Sequence, residues 1–271
     1  VAIGHQAGRV MTTGVENNLF GALAGDALTT GSYNVAFGKG ALSSEDTGSR
    51  NVAIGSRALN SLNFDGNAYN IAIGYDAGLN MSTGTLNTIV GGAAGDALTT
   101  GGNNTAIGHE ALSTEDTGAR NTAIGEGSLK TLNFDGNGYN TAVGYNSGHE
   151  MTTGVKNTII GSLAGDAVTD GQENTAIGYS SLSGEDSGGS NTAIGAQALG
   201  TQDGGNANVA VGRQAGLNIT TGDNNTVIGG NAGDALTTGD NNIIIGKNAA
   251  ASAVGADNET VIGTATTTNA I

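Results

Sequence analysis

Asn51-Val52-Ala53-Ile54-Gly55 is the stretch that decides the fold, because the chain writes it repeatedly. Close variants are Asn34-Val35-Ala36-Phe37-Gly38, Asn104-Thr105-Ala106-Ile107-Gly108 and Asn174-Thr175-Ala176-Ile177-Gly178. The closing glycine recurs as Gly4, Gly21, Gly38, Gly55, Gly74, Gly91, Gly108, Gly125, Gly144, Gly161, Gly178, Gly195, Gly212, Gly229, Gly246 and Gly263. The step between them is 17 in thirteen of the fifteen intervals and 19 in the other two. Both long intervals hold the same extra text, Asn63-Phe64-Asp65-Gly66-Asn67 and Asn133-Phe134-Asp135-Gly136-Asn137. A fixed period of this size marks a repeat architecture. A second, longer period spans four units and runs from Gly4 to Gly74 to Gly144.

Alignment on that glycine exposes columns. Four residues before it stand Asn17, Asn34, Asn51, Asn70, Asn87, Asn104, Asn121, Asn140, Asn157, Asn174, Asn191, Asn208, Asn225 and Asn242, a set expected to be structural. The residue just before the glycine is always Ile, Val or Phe, and three positions after it the chain is small, as at Ala7, Ala24, Ala41, Ser128 and Ala249. Ten positions after it a second glycine stands in twelve units, often closing Thr-Thr-Gly.

A helical repeat is excluded. The chain carries 49 glycines in 271 residues, and each costs about 0.8–1 kcal/mol in a helix interior. The apolar text is short, β-branched and bounded by Gly, Asn and Asp, which is strand-and-turn chemistry. A unit of this length with two or three short strands closes one turn of a solenoid. Equivalent residues then stack about 4.8 Å apart, and fifteen such steps make a rod of roughly 70 Å. Zero proline fits, since proline removes a ladder donor. The asparagine column predicts a ladder of side-chain amides.

Each unit offers few sizeable core candidates, for example Ile71, Ile73 and Met81, or Ile177 with Leu182. In Val35-Ala36-Phe37, Thr88-Ile89-Val90, Thr158-Ile159-Ile160 and Ile243-Ile244-Ile245, neighbouring residues point to opposite faces. Both faces are apolar, so the outer one calls for a cover. With no helix or second domain in the text, that cover is another copy of the chain. The four-unit block places Glu45, Glu115 and Glu185 in the column that elsewhere holds Met11, Met81 and Met151. Acids on every fourth coil lie about 19 Å apart, beyond a Debye length of about 8 Å; the long period reads as charge spacing with segmental duplication.

Composition removes several functions. Zero cysteine excludes disulfide scaffolds and Cys-based zinc or thiol chemistry. Collagen needs glycine at every third residue and abundant proline. No run of 18 apolar residues suggests membrane insertion. Nine Lys and Arg against 24 Asp and Glu give −15, a poor partner for nucleic acid or anionic membrane. His5, His109 and His149 lack a recurrent acid or nucleophile and read as solvated side chains. No phosphate-cradling Gly-x-x-x-x-Gly-Lys-Ser/Thr occurs. Gly229-Gly230-Asn231-Ala232-Gly233-Asp234 superficially looks like a calcium nonapeptide, but such repeats recur every nine residues and this one only once per four-unit block. It reads as a turn, as do Asp65-Gly66-Asn67 and Asp135-Gly136-Asn137. Asn80, Asn103, Asn218, Asn224 and Asn258 stand in Asn-x-Ser/Thr sequons that an Asn- and Thr-rich repeat produces by chance. No catalytic, cofactor or metal residue is assigned, and the chain is expected not to be an enzyme.

Threonine arrays raise ice binding. Thr88, Thr105, Thr122, Thr141, Thr158, Thr175 and Thr192 form a column, but Val35, Val52 and Ile71 interrupt it. That exchange points to a packed face.

The Asn51-Val52-Ala53-Ile54-Gly55 motif, followed by a small residue three positions on, resembles the YadA-like head repeat of trimeric autotransporter adhesins. It is also similar to the Asn-Thr-Ala-Ile-Gly arrays of phage tail-fibre-like proteins. The resemblance covers the whole chain, and its motif is specific because the spacing is fixed. It implies a parallel β-roll assembled as a homotrimer. The present unit, the step from Gly38 to Gly55, is two or three positions longer than is usual in that adhesin repeat.

The expectation is therefore an all-β parallel β-solenoid (β-roll) of about 16 coils, in a homotrimeric fibre. Residues 1–271 read as a single repeat array with an atypical last coil at 247–271. Opening mid-repeat at Val1-Ala2-Ile3-Gly4, they read as an excerpt of a longer extracellular fibre. The expected function is a stiff structural or adhesive shaft of a virion tail fibre or cell-surface adhesin, serving a host-surface or glycan receptor. Tyr75, Tyr145, Tyr179, Lys39 and Arg57 would face outward and are candidates for such a contact. The alternatives are a self-assembling extracellular filament subunit and an ice-binding solenoid.

Overall fold

The computed structural model describes residues 1–263. Two compact units are present, Val1–Tyr139 and a second from Asn140 onward. The first carries β1 (Ala2–Ile3), β2 (Asn18–Phe20), β3 (Val35–Phe37), β4 (Val52–Ile54), β5 (Ile71–Ile73), β6 (Thr88–Val90), β7 (Thr105–Ile107) and β8 (Thr122–Ile124). Each pairs in parallel with the next. The second unit carries β9 (Thr141–Val143), β10 (Thr158–Ile160), β11 (Thr175–Ile177), β12 (Thr192–Ile194), β13 (Val209–Val211), β14 (Thr226–Ile228), β15 (Ile243–Ile245) and β16 (Thr260–Ile262), paired in the same way. The register offset is one repeat, as in Thr105↔Thr122 and Ile107↔Ile124, so every sequence column is a physical stack. The fold is an all-β parallel β-solenoid whose period is the sequence repeat itself. Among the described residues no helix is long and apolar enough to cross a membrane. The last coil's residues from 264 lie outside the described residues.

Each coil holds one short strand, not the two or three that the text suggested. The rest of the coil is turn, because residues such as Leu23 (φ 61°), Tyr33 (φ 62°) and Leu42 (φ 54°) adopt the left-handed conformation and end any extended run. Each such residue costs roughly 1–2 kcal/mol. Ladder bonds continue through the turns and offset this: Gly25 donates to the Ala41 carbonyl at 3.0 Å, Leu42 to Ala58 at 3.0 Å and Thr29 to Asp46 at 2.7 Å. The repeat glycine is obligatory for two reasons. Gly55 has φ +137°, and a Cβ there would come under 3.0 Å from the carbonyl of Gly74 in the next coil.

The core is thin: three inward columns carry its larger side chains, beside the small buried residue three positions after the repeat glycine, as at Ala24, Ala41 and Ala58. The middle strand residue points in, as with Leu19, Ala36, Ile89 and Ala106, all fully buried. Its two neighbours point out. Met81 and Leu182 are buried as expected, but Ile71 and Ile73 lie on the outer face, exposed by more than a third; strand alternation sends them away from Ala72. The other inward columns lie four and seven residues after the repeat glycine, and they vary together. Where the first is glycine, the second is large: Gly25 with Leu28, Gly78 with Met81, Gly95 with Leu98. A Cβ on Gly25 would meet Leu28 Cδ1 at 2.7 Å, and one on Gly95 would meet Leu98 Cδ1 at 2.9 Å. Where the first is Leu42, Leu112 or Leu182, the second is Glu45, Glu115 or Glu185. Leucine occupies both only in the two longer coils, Leu59 with Leu62 and Leu129 with Leu132.

All fourteen column asparagines are buried. They form clips to the backbone rather than a simple amide ladder. Asn34 Nδ2 donates to the Gly48 carbonyl (2.8 Å), and Asn34 Oδ1 accepts the Asn51 N–H (2.9 Å). Asn87, Asn104, Asn174 and Asn191 repeat the glycine contact at 2.8–2.9 Å. Amide-to-amide contacts occur on some rungs only, such as Asn242 to Asn225 at 2.9 Å. Asn51 faces one of the longer coils and loses the glycine clip; its Nδ2 reaches only Asn34 Oδ1 and the Ser49 carbonyl, both at 3.4 Å.

Candidate functional site

Strand alternation gives each unit an outward sheet face with two parallel rows. The first row follows the residue before the repeat glycine: Ile3, Phe20, Phe37, Ile54, Ile73, Val90, Ile107 and Ile124 in the first unit. In the second it is Val143, Ile160, Ile177, Ile194, Val211, Ile228, Ile245 and Ile262. No coil interrupts it. Phe37 is 56% exposed and Ile160 38% exposed, and the Phe20 and Phe37 rings lie 5.5 Å apart. The second row mixes Val35, Val52, Ile71 and Ile243 with the threonines of the column at Thr88, Thr105, Thr122, Thr141, Thr158, Thr175 and Thr192, which are half-buried. Covering one half-exposed Ile or Val removes it from water for about 1 kcal/mol. Eight coils with two rows each therefore exceed the low end of the roughly 4–15 kcal/mol cost of association.

The outward candidates fall in separate places. Tyr75, Tyr145 and Tyr179 are exposed, as are Lys39 and Arg57. Only Arg57 and Tyr75 meet: Arg57 Nη2 donates to Tyr75 Oη and to Asp76 Oδ2, each at 2.5 Å, with the guanidinium 5.1 Å from the ring centre. A second aromatic ladder escaped the sequence reading. Arg50 lies between Tyr33 and Tyr69, 5.3 and 5.6 Å from their ring centres, and Arg120 lies over Tyr139 at 5.5 Å. The signal was present, since Tyr33, Arg50 and Tyr69 stand one coil apart just before the column asparagine.

The acids are not the spaced surface charges that the text suggested. Glu45, Glu115 and Glu185 are fully buried. Glu45 Oε1 accepts the Gly48 N–H at 2.6 Å and Oε2 accepts the Phe64 N–H at 3.1 Å. Burial pushes the Glu45 and Glu115 carboxyls above the ordinary range, against the pull of those N–H groups. Glu185, Asp186 and Asp203 bring carboxylate oxygens within 4.8 Å of one another. Glu185 is engaged by backbone donors, which leaves two exposed carboxylates against the six to eight oxygens a calcium ion takes. The Asp186 carboxylate raises that of Asp203 by sharing a hydrogen bond with it.

Among the histidines, His5 and His109 are exposed. His149 departs from the solvated reading: it is half-buried, meets Glu150 Oε1 through Nδ1 at 2.8 Å, and lines an open cleft with Asn146, Glu150, Asp166 and Ala167. Burial raises the Asp166 carboxyl, and the His149 charge partly offsets this. Asp166 Oδ1 has no hydrogen-bond partner. No protein-family model matches the chain, and no curated protein matches it in sequence.

Proposed function

We propose that the chain is a structural and adhesive fibre segment. In this reading it is a β-solenoid shaft of a phage tail fibre or cell-surface adhesin, extracellular and homotrimeric, kin to the YadA-like head repeats that its motif resembles. The observation that carries the reading is the uninterrupted apolar row on the outward sheet face of each unit. A row that repeats once per coil is matched in period by another copy of the same chain lying parallel to it. The exposed Tyr75, Tyr145 and Tyr179, each next to a repeat glycine and off the strands, support a receptor or glycan contact. The chemistry of the shaft is non-enzymatic, with no cofactor.

Sedimentation equilibrium tests the assembly. A particle of about three times the 26.4 kDa chain mass is expected, and replacing Ile160, Ile177 and Ile194 by Ser should return it to one chain without loss of β signal. A well-folded single-chain species of the unmodified protein would sink the trimer. The half-exposed threonines of the same face favour one second reading, ice binding. Thermal hysteresis well above that of a control protein, from a single-chain species, would transfer the assignment to it.

A further inference from the structure

We propose that Glu45 and Glu115 are acid-responsive latches: on protonation each releases a backbone N–H of the loop it holds, 63–67 or 133–137, and the third block lacks the response. Both side chains are fully buried. In each, the two carboxylate oxygens face donors from two successive coils. Glu45 takes Gly48 N–H and Phe64 N–H, and Glu115 takes Gly118 N–H at 2.7 Å and Phe134 N–H at 3.2 Å. An ionised carboxylate serves both donors. Protonation removes the charge that strengthens both bonds and leaves a hydroxyl oxygen that accepts more weakly, so the longer bond of each pair, to Phe64 at 3.1 Å or Phe134 at 3.2 Å, is the one released.

The surroundings favour proton uptake. Within its own coil Glu45 faces the like charge of Asp46, and on the loop itself Asp65 Oδ1 is held by the Thr47 hydroxyl at 2.6 Å. Glu115 faces Asp116, and on its loop Asp135 is held by Thr117 at 2.5 Å. The equivalent positions in the coils before and after are Leu28 and Leu62, or Leu98 and Leu132, all fully buried. The charge acting on each is that of the adjacent aspartate, and the ion pairs among the described residues involve other groups. Desolvation and like charge both favour the neutral acid. The direction of the shift at both residues agrees with this.

The third block is a built-in control. Gln202 replaces the leucine, and its Nε2 donates to Glu185 Oε2 at 2.9 Å. Gly204 N–H reaches Oε1 at 2.9 Å, beside the N–H groups of Ser187 and Gly188. Those four donors include a side-chain amide from the next coil, where Glu45 and Glu115 have only leucine and backbone N–H groups. The loops gripped by Glu45 and Glu115 are surface segments, with Asn63, Asp65, Gly66 and Asn67 exposed, so release alters the outside of the coil.

Amide hydrogen exchange on the full chain, corrected for intrinsic rates, tests this between about pH 8 and pH 4.5, a range spanning the ordinary glutamate value. Protection at Phe64 and Phe134 should fall at least about tenfold as acid is added, while Gly204 keeps its protection. Glu45→Gln should open the 63–67 loop already at pH 8 and abolish its pH response, with the 133–137 loop reporting that the chain remains folded. Three results would overturn the proposal: constant protection at Phe64 and Phe134 throughout, parallel loosening at Gly204, or a 63–67 loop as protected in the Glu45→Gln variant as in the unmodified chain.

Discussion

Asn104 shows what a single side chain contributes to this fold. Its Nδ2 donates to the Gly118 carbonyl at 2.8 Å and its Oδ1 accepts the Asn121 N–H at 2.9 Å. Asn104→Ala removes both bonds and strands a carbonyl and an N–H in a region closed to water. The expected loss is about 2–4 kcal/mol in urea unfolding, since each buried group left unpaired costs about 1–3 kcal/mol. Asn51→Ala should cost less, because its Nδ2 contacts at 3.4 Å are at the limit of a hydrogen bond. Equal losses at the two positions would show that the glycine clip contributes nothing. Acidity acts at the same scale through Glu45 and Glu115. Their folded-state carboxyls bind protons more tightly than unfolded ones. Stability from these groups therefore rises as pH falls through the raised folded values and levels off below the ordinary glutamate value. The Glu45→Gln/Glu115→Gln double variant should flatten that rise in the melting temperature between about pH 8 and pH 4.5; an unchanged slope would assign it to the other acids.

At the scale of the coil, the period, the strand column and the turn glycines were legible because each is written as a recurring letter. Three features were not. Strand number per coil depends on left-handed residues such as Leu42 and Tyr33, which carry no mark in the text because ladder bonds, rather than propensity, hold them there. The direction of Ile71 and Ile73 depends on which of two apolar faces the coil closes around, and an apolar-apolar-apolar strand does not say. Glu45 looks like a solvated acid until the backbone donors around it are placed. The pairing of glycine in one inward column with a large residue in the other has its reason in the packing of Gly25 against Leu28. It predicts an energetic coupling. Leu112→Gly opens a cavity, which costs roughly 2–5 kcal/mol for loss of a leucine side chain. Glu115→Leu puts a γ-branched side chain beside Leu112, a pairing that only the two longer coils hold, and leaves the Gly118 and Phe134 N–H groups unpaired. The double variant rebuilds the Gly95 and Leu98 arrangement, and a double-mutant cycle should return at least about 1 kcal/mol of favourable coupling. Additive losses would show that the two columns do not share space.

Across the whole molecule, charge and apolar surface are segregated. The chain carries −15 at pH 7, yet the side chains of both outward rows, from Val35 and Phe37 to Thr260 and Ile262, include no charged group. If copies associate through that face, the contact itself gains nothing from ion pairing, and the acids elsewhere on each copy repel those on the next. Salt screens that repulsion, with a Debye length falling from about 10 Å at 0.1 M to about 3 Å at 1 M, and it leaves apolar burial in place. Association should therefore tighten as salt is added, the reverse of the behaviour of charge-steered complexes. Sedimentation velocity at a fixed low concentration gives the comparison. The assembled fraction should grow between about 0.02 M and 0.5 M sodium chloride, and the Ile160, Ile177 and Ile194 serine variant should stay a single chain at both. Dissociation of the unmodified protein by salt would place the contact on ion pairs instead, away from the sheet face, and the fibre reading would lose the observation on which it rests.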